Sequence, residues 1–292
     1  MKITNKEGLP QAFVEMAQSD YITTENEFRV TSLLKGYKEA ILEKRHFAEI
    51  EQDVSDMVWL IFGTAVHLIA EKSPEGDTEF KEIRLKEIIN GISVSGRFDL
   101  FDAKKGILTD YKTCSVWKVI YGDFSDWERQ LMIYAYLLKK AGFKVNQCEV
   151  IAIMKDHSKR DAKNKASYPQ RPTKKITFQV TDKKLDDILI WLENKVDTIK
   201  LYSQLTDDKI PPCTEEERYN SGSKWAVKNK GRKTALRVLD TEGEAKEWIE
   251  NNGKGDYIEE RKGEDKKCID YCSACEFCNY YKENVKNVVE EV

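Results

Sequence analysis

The segment from residue 92 to residue 113 constrains the fold most strongly, because its alternating pattern specifies a β-hairpin. One arm is predicted over residues 92–101 and a second over residues 107–113, with a polar turn between them. A register without a bulge would place Asp99 directly opposite Asp110. The chain must therefore build a β-sheet around two acids that face each other.

These facing acids predict a metal site. Carboxylates directly opposite each other across two strands repel, and a divalent cation would remove that repulsion. Strand side chains alternate between faces, so Asp110 and Lys112 share one face. Two carboxylates with a backbone carbonyl suit Mg²⁺ or Mn²⁺, and the lysine supplies a positive charge for a phosphate. The alternative is that Asp99 ends a strand, Asp110 caps a turn and Lys112 is a solvated edge residue.

Helical segments on both sides of the hairpin carry pairs of residues spaced by one helical turn. Gly63 and His67 lie in an apolar segment before the hairpin, and Gln130 and Tyr134 lie in an amphipathic segment after it. Residues four apart share a helix face, so each pair can point at a common site. Taken singly, each pair is also explained by an ordinary core helix.

The three motifs in this order resemble the core of the PD-(D/E)XK nuclease superfamily, in particular its RecB-like and phage-type exonucleases. The resemblance covers residues 59–142. It implies that a metal is held by Asp99, Asp110, the Tyr111 carbonyl and His67. It implies the catalytic residues Asp99, Asp110, Lys112, His67, Gln130 and Tyr134, of which the last two line the site and position the strand being cut.

Composition limits where such a chain could work. With 292 residues, 40% of them hydrophobic, it can bury a substantial core. It has no apolar run of the length that spans a bilayer and no signal peptide, so we expect a cytoplasmic protein encoded by a bacterium or a phage. The net charge of −3 gives no overall basic character, so DNA contacts are expected from local patches such as the basic loop at residues 157–175.

Five cysteines in the C-terminal part predict a metal or cluster site. Four of them are packed into residues 268–278, and such dense thiolates in an intracellular chain need a shared cation. Zn²⁺ and a [4Fe-4S] cluster both take four cysteines. Some RecB-like nucleases hold a [4Fe-4S] cluster with three C-terminal cysteines and one ahead of the core, whereas the distant cysteine here follows the core. The expected ligands are Cys213, Cys268, Cys272 and Cys278, with Cys275 as a substitute; unliganded thiols are the alternative.

The predicted fold class is α/β: a central mixed β-sheet flanked by helices, the restriction-endonuclease-like core, with a cysteine-clasped C-terminal appendage. Residues 1–212 would form the core with its N-terminal helices, and residues 213–292 a cysteine-rich region containing a small β-α-β unit. The expected function is metal-dependent hydrolysis of DNA by an exonuclease of recombination or repair. A single-strand annealing or recombination protein is a further expected partner, and a membrane is not. The alternatives are a non-catalytic DNA-binding or scaffold protein with this fold, or a site-specific endonuclease.

Overall fold

The computed structural model describes residues 1–18, 24, 26–74 and 76–286. The chain divides into two compact units, one of Met1–Ile41 with Phe47–Gln204 and one of Leu42–His46 with Leu205–Val292. In the described part of the chain, none of the helices combines the length and apolar character that crossing a lipid bilayer requires.

The first unit alternates strands and helices along the chain, which confirms the predicted α/β class. Its strands are β1 (Lys2–Thr4), β2 (Glu27–Arg29), β3 (Glu51–Asp53), β4 (Glu79–Lys81), β5 (Arg84–Ile89), β6 (Ile92–Arg97), β7 (Leu100–Asp102), β8 (Ile107–Cys114), β9 (Gln147–Met154) and β10 (Thr173–Gln179). Its helices are α1 (Gln11–Ala17), α2 (Val30–Leu33), α3 (Tyr37–Arg45, whose last residues belong to the second unit), α4 (Val58–Glu71), α5 (Val116–Tyr121), α6 (Ser125–Lys140), α7 (Lys159–Asn164) and α8 (Asp182–Tyr202).

A five-stranded sheet in the order β10-β9-β8-β7-β4 forms the centre of this unit. Strands β8 and β9 are parallel and the other neighbours are antiparallel, so the sheet is mixed as predicted. The parallel pair requires a crossover, which α5 and α6 supply. The middle of helix α6, residues 130–138, is buried, and Leu131, Ile133, Leu137 and Leu138 all belong to the core.

Two helices lie against opposite faces of β8. Helix α4 meets the face of Tyr111 and Thr113, since the His67 ring lies 6.3 Å from the Tyr111 ring. Helix α6 meets the other face, where Cys148 of β9, the register partner of Leu108, contacts the backbone of α6. The alternation of side chains along one strand thus presents different residues to each helix.

The hairpin has the predicted register but a shorter first arm. Strand β7 pairs with β8 through Leu100 opposite Thr109, so the same register carried one step further sets Asp99 against Asp110. The predicted arm over residues 92–101 is wrong as one strand: β6 pairs with β5 and β2 in a separate sheet, and the chain breaks before β7. At the break the Asp99 carboxylate accepts a hydrogen bond from the Tyr111 N–H at 2.7 Å. This N–H therefore has a partner without a longer pairing of β7 with β8.

A second break separates β4 from β5, where the alternation of residues 79–89 predicts a single strand. Glu82 lies at the break with a φ of 51°, in the left-handed region that non-glycine residues rarely occupy. Its N–H donates to the Asp99 carbonyl at 3.1 Å. The two breaks therefore lie side by side, and each turns an acidic residue out of its strand.

The second unit contains a small antiparallel sheet in the order β12-β11-β13. Its elements are β11 (Lys224–Lys228), β12 (Arg237–Leu239), α9 (Glu242–Asn252), β13 (Tyr257–Arg261), α10 (Lys266–Asp270) and α11 (Asn279–Tyr281). Thr241 and Glu244 form a capping box that begins α9. In the sheet, β11 lies between β12 and β13, the two strands of the predicted β-α-β unit. The predicted division after residue 212 stays a prediction.

Candidate active site and metal centre

Three side chains from separate elements of the first unit converge on one point. His67 is on α4, Glu82 follows β4, and Asp99 precedes β7. His67 Nδ1 lies 3.2 Å from Asp99 Oδ1 and 3.8 Å from Glu82 Oε1. One ligand atom from each residue lies within 4.8 Å of the other two, which is close enough for a single ion to contact all three. These three residues are called the acid–histidine group below.

Neighbouring backbone and side-chain groups hold this group in position. The N–H groups of Tyr111 and Glu82 bind the carboxylate and the carbonyl of Asp99 respectively. Arg97 Nε lies 2.9 Å from Glu82 Oε2, which leaves Oε1 of that carboxylate directed towards His67. Supporting contacts of this kind orient the side chains that bind a metal.

The two carboxylates favour a positive charge between them. Asp99 first, and then Glu82, raise the pKa of His67 to about 10, although partial burial of the ring opposes the shift. The imidazole therefore holds a proton where two acids meet. A divalent cation would supply the same positive charge at that position.

Asp110 and Lys112 form a buried ion pair on β8. Lys112 Nζ lies 2.9 Å from Asp110 Oδ2, and Asp110 is only 2% exposed. Burial raises the pKa of Asp110 to about 6, and the Asp99 charge adds to the rise while Lys112 opposes it. The carboxylates of Asp99 and Asp110 therefore repel each other, as expected for neighbours in the hairpin register.

The residues present fit a divalent cation. Asp110 Oδ2 is buried, and among the described residues no donor reaches it with favourable hydrogen-bond geometry. Such an oxygen is costly unless a further positive group approaches it. Beside it, the acid–histidine group offers two carboxylates, which are the oxygen donors that Mg²⁺ and Mn²⁺ prefer, and one imidazole nitrogen.

Gln130 and Tyr134 lie on α6, and both are buried. Gln130 Nε2 donates to the Tyr134 hydroxyl at 3.2 Å. Burial raises the pKa of Tyr134, and the nearby charge of Asp110 raises it further. A Cβ on Gly96 would lie 2.3 Å from Tyr134 Cε1, so the glycine leaves room for this ring.

The structure brings several predicted residues together and adds one that was not predicted. His67 meets Asp99, and Asp110 meets Lys112, while Asp110 lies outside the group of three ligand atoms within 4.8 Å. Glu82 was missed because, within an alternating charged segment, it has the pattern of a solvated strand residue. No glycine or proline marks the break there, so only long-range contacts reveal it. The catalytic and metal-binding roles of these residues stay predictions.

The predicted cluster cysteines all lie in the second unit. Burial raises the pKa of the Cys268 thiol to about 12, and the nearby Cys213 and Cys278 thiols add to the rise. Arg218 donates to the Cys213 carbonyl, and its Nε lies 3.1 Å from Asp265 Oδ1. These contacts place Cys213 and Cys268 near one arginine–aspartate pair, and Cys278 lies near Cys268.

The cysteine sulfurs are not gathered at the distances of a zinc site. In the region the structure describes, no three of them lie within 4.8 Å of one another. Zn–S bonds of about 2.3 Å in a tetrahedron would bring the sulfurs to about 3.8 Å.

The chain has similarity to solved structures and matches one protein family. No curated protein matches the chain. The crystal structure of SSO0001 is 18% identical with a TM-score of 0.47, covering 64% of this chain and 83% of that one. A phage-related exonuclease from Haemophilus somnus 129PT is 13% identical with a TM-score of 0.28, covering 67% of this chain and 83% of its own. A family model matches residues 6–280, nearly the whole length, and on this match the chain belongs to the PD-(D/E)XK nuclease superfamily.

Proposed function

We propose that this chain is a metal-dependent deoxyribonuclease that degrades DNA from its ends and serves recombination or repair. Membership of a nuclease superfamily supports hydrolysis of nucleic acid phosphodiester bonds. The observation that carries the proposal is the acid–histidine group beside the Asp110–Lys112 pair. A protein that only bound DNA would have no need for a buried carboxylate paired with a lysine at such a group.

Each residue has a role that follows from its position. Asp99, Asp110, His67 and the Tyr111 carbonyl, with Glu82 added from the structure, would hold Mg²⁺ or Mn²⁺. When bound, the ion acidifies a water molecule and polarises the scissile phosphate. The Lys112 ammonium, held by Asp110, orients the nucleophile or offsets negative charge on the phosphate.

Gln130 and Tyr134 would position the DNA strand. Their mutual hydrogen bond fixes the amide and the phenol relative to each other. The contact between Tyr134 and Gly96 further restricts the ring. A fixed polar pair next to Asp110 can hold a substrate group in one orientation, which lowers the entropic part of the barrier.

The second unit is proposed to carry a [4Fe-4S] cluster on Cys213, Cys268, Cys272 and Cys278. The electrostatic proximity of Cys268 to Cys213 and Cys278 supports this set. Its test is anaerobic purification followed by an absorbance spectrum and iron and zinc assays. One zinc equivalent without iron, or no metal, would contradict the proposal.

The nuclease proposal is tested with end-labelled linear DNA. Wild type with Mn²⁺ or Mg²⁺ should release label, and Lys112→Ala should be at least about 100-fold slower because charge stabilisation is lost. Lys183→Ala, an exposed lysine paired with Asp187 on α8, is the matched control and should retain full activity. No cleavage by wild type with either ion, together with intact DNA binding, would favour a scaffold protein instead.

Covalently closed circular DNA separates the two modes of cleavage. An exonuclease needs an end, so closed circles should survive while the same circles, linearised, are degraded. Fragments of defined length from closed circles would instead show a site-specific endonuclease. The expected recombination partner and cytoplasmic location remain predictions.

A further inference from the structure

Helix α5 follows the candidate active site directly in the chain and is firmly attached. It begins at Val116, four residues after Lys112. The Asp156 carboxylate accepts hydrogen bonds from Ser115 Oγ and the Val116 N–H, both at 2.6 Å. Asp156 lies just beyond β9, so the helix is tied to the ends of two adjacent parallel strands.

This short helix exposes two aromatic rings to solvent. Trp117 is 55% exposed and Tyr121 is 78% exposed. The rings are stacked on each other, with centroids 5.9 Å apart and planes 29° apart. Large aromatic side chains usually bury their surface, so a stacked pair left open beside a candidate active site is a surface suited to another flat ring.

A cavity of about 400 Å³ adjoins the Trp117 ring. Its lining includes Val116, Ile120, Ser158, Lys165 and Tyr168, together with Asp156 and Asp161. The Tyr168 hydroxyl accepts the Ser158 N–H at 2.9 Å, which holds the far wall in shape. The cavity therefore combines apolar rings with polar groups, as sites for small planar ligands do.

The surface beside this cavity is strongly basic although the whole chain is slightly acidic. Residues 155–175 contain eight lysines and arginines and two aspartates. Asp156 is bound by the start of α5, and Asp161 pairs with Lys165 at 3.0 Å. A second cavity, of about 310 Å³, is lined by Lys159, Arg160, Lys163 and Asn164. The charge complements a polyanion.

We propose that Trp117 and Tyr121, with the adjoining cavity, bind single-stranded nucleic acid by stacking on its bases, while α7 contacts its phosphates. The ligand must be single-stranded, because duplex bases are stacked on each other and cannot cover a protein ring. The inference rests on the proposed nuclease function and extends it: a single-stranded end is held next to the strand that carries Asp110 and Lys112.

Binding is measured by fluorescence anisotropy in chelator, where no cleavage occurs, with a labelled single strand and a duplex of the same sequence. Replacing both rings by Trp117→Ala and Tyr121→Ala should weaken binding of the single strand by about 5- to 100-fold. Binding of the duplex should change by less than about twofold, since stacking contributes nothing to it. The Trp117→Phe and Tyr121→Phe double variant should keep most of the affinity because the flat rings remain.

Ile190→Ala is the control for loss of exposed apolar surface, since Ile190 is 56% exposed on α8. It should bind both DNA forms as wild type does. The inference is overturned if wild type fails to bind the single strand, if the double alanine variant binds it unchanged, or if duplex binding falls equally. Cleavage is scored separately with Mn²⁺, so ring-dependent binding without cleavage would refute only the nuclease function.

Discussion

Asp110→Asn should stabilise the metal-free protein at neutral pH while it removes activity. The carboxylate is buried, and its pKa rises from 3.8 to about 6. Between these values the unfolded chain releases a proton that the folded protein retains, so the free energy of unfolding falls as the pH rises. Above pH 6 the buried carboxylate is charged and lowers the free energy of unfolding by its full amount. The neutral amide of Asp110→Asn removes this cost.

The pKa shift of Asp110 sets the size of the expected change in unfolding free energy. A pKa rise of this size lowers the free energy of unfolding of wild type by about 3 kcal/mol at pH 8. On the order of half of this loss is already present at pH 5. The gain in unfolding free energy from Asp110→Asn should therefore be larger at pH 8 than at pH 5 by about 1.5 kcal/mol. The variant leaves the Lys112 ammonium without its carboxylate partner, and this loss is already contained in the net pKa shift because Lys112 opposes the rise.

Urea unfolding of both proteins in chelator at the two pH values measures this difference directly. Comparing the variant with wild type at each pH removes the titration of all other groups. Adding Mn²⁺ should then stabilise wild type more than Asp110→Asn, because the ion binds the folded carboxylate. A gain that is absent, or equal at the two pH values, would refute the burial argument for Asp110.

Three further predictions concern other parts of the chain. Gly96→Ala should displace the Tyr134 ring, since the new Cβ would lie 2.3 Å from it. The variant should therefore cleave DNA more slowly and lose about 1–3 kcal/mol of unfolding free energy. An unchanged rate in the digestion assay would contradict a positioning role for the ring. Glu82→Gln should weaken Mn²⁺ binding by about tenfold in calorimetric titration, and equal affinities would exclude this carboxylate from the site. Cys268→Ser should lose bound iron in an iron assay while Cys114→Ser, in the first unit, retains it; equal iron content would remove Cys268 from the ligand set.

Patterns local to the chain predicted the α/β class and the hairpin register. Alternation and turn chemistry predicted the register that sets Asp99 opposite Asp110, and β7 and β8 pair in that register. Helical spacing placed Gln130 and Tyr134 on one face, where a hydrogen bond joins them. Both results depend on the repeat of one element, which neighbouring residues in the sequence already define.

Local patterns failed where an element breaks. The predicted arm over residues 92–101 alternates over most of its length, yet β6 lies outside the central sheet and pairs with β5 and β2. The Ser95 hydroxyl donates to Glu27 Oε1 at 2.5 Å, a contact across 68 residues of chain. No window of sequence around residue 98 contains that partner, so the break could not be located in advance.

The sequence by itself determined the periodicities, the spacing of the three motifs and the concentration of cysteines near the C-terminus. Only the tertiary structure decided that Glu82 joins His67 and Asp99, that Asp110 is fully enclosed, and that Trp117 and Tyr121 remain open to solvent. The physical reason is the range of the interactions. Backbone periodicity arises between residues a few positions apart, whereas burial and the meeting of charges depend on strands and helices that are distant in the chain.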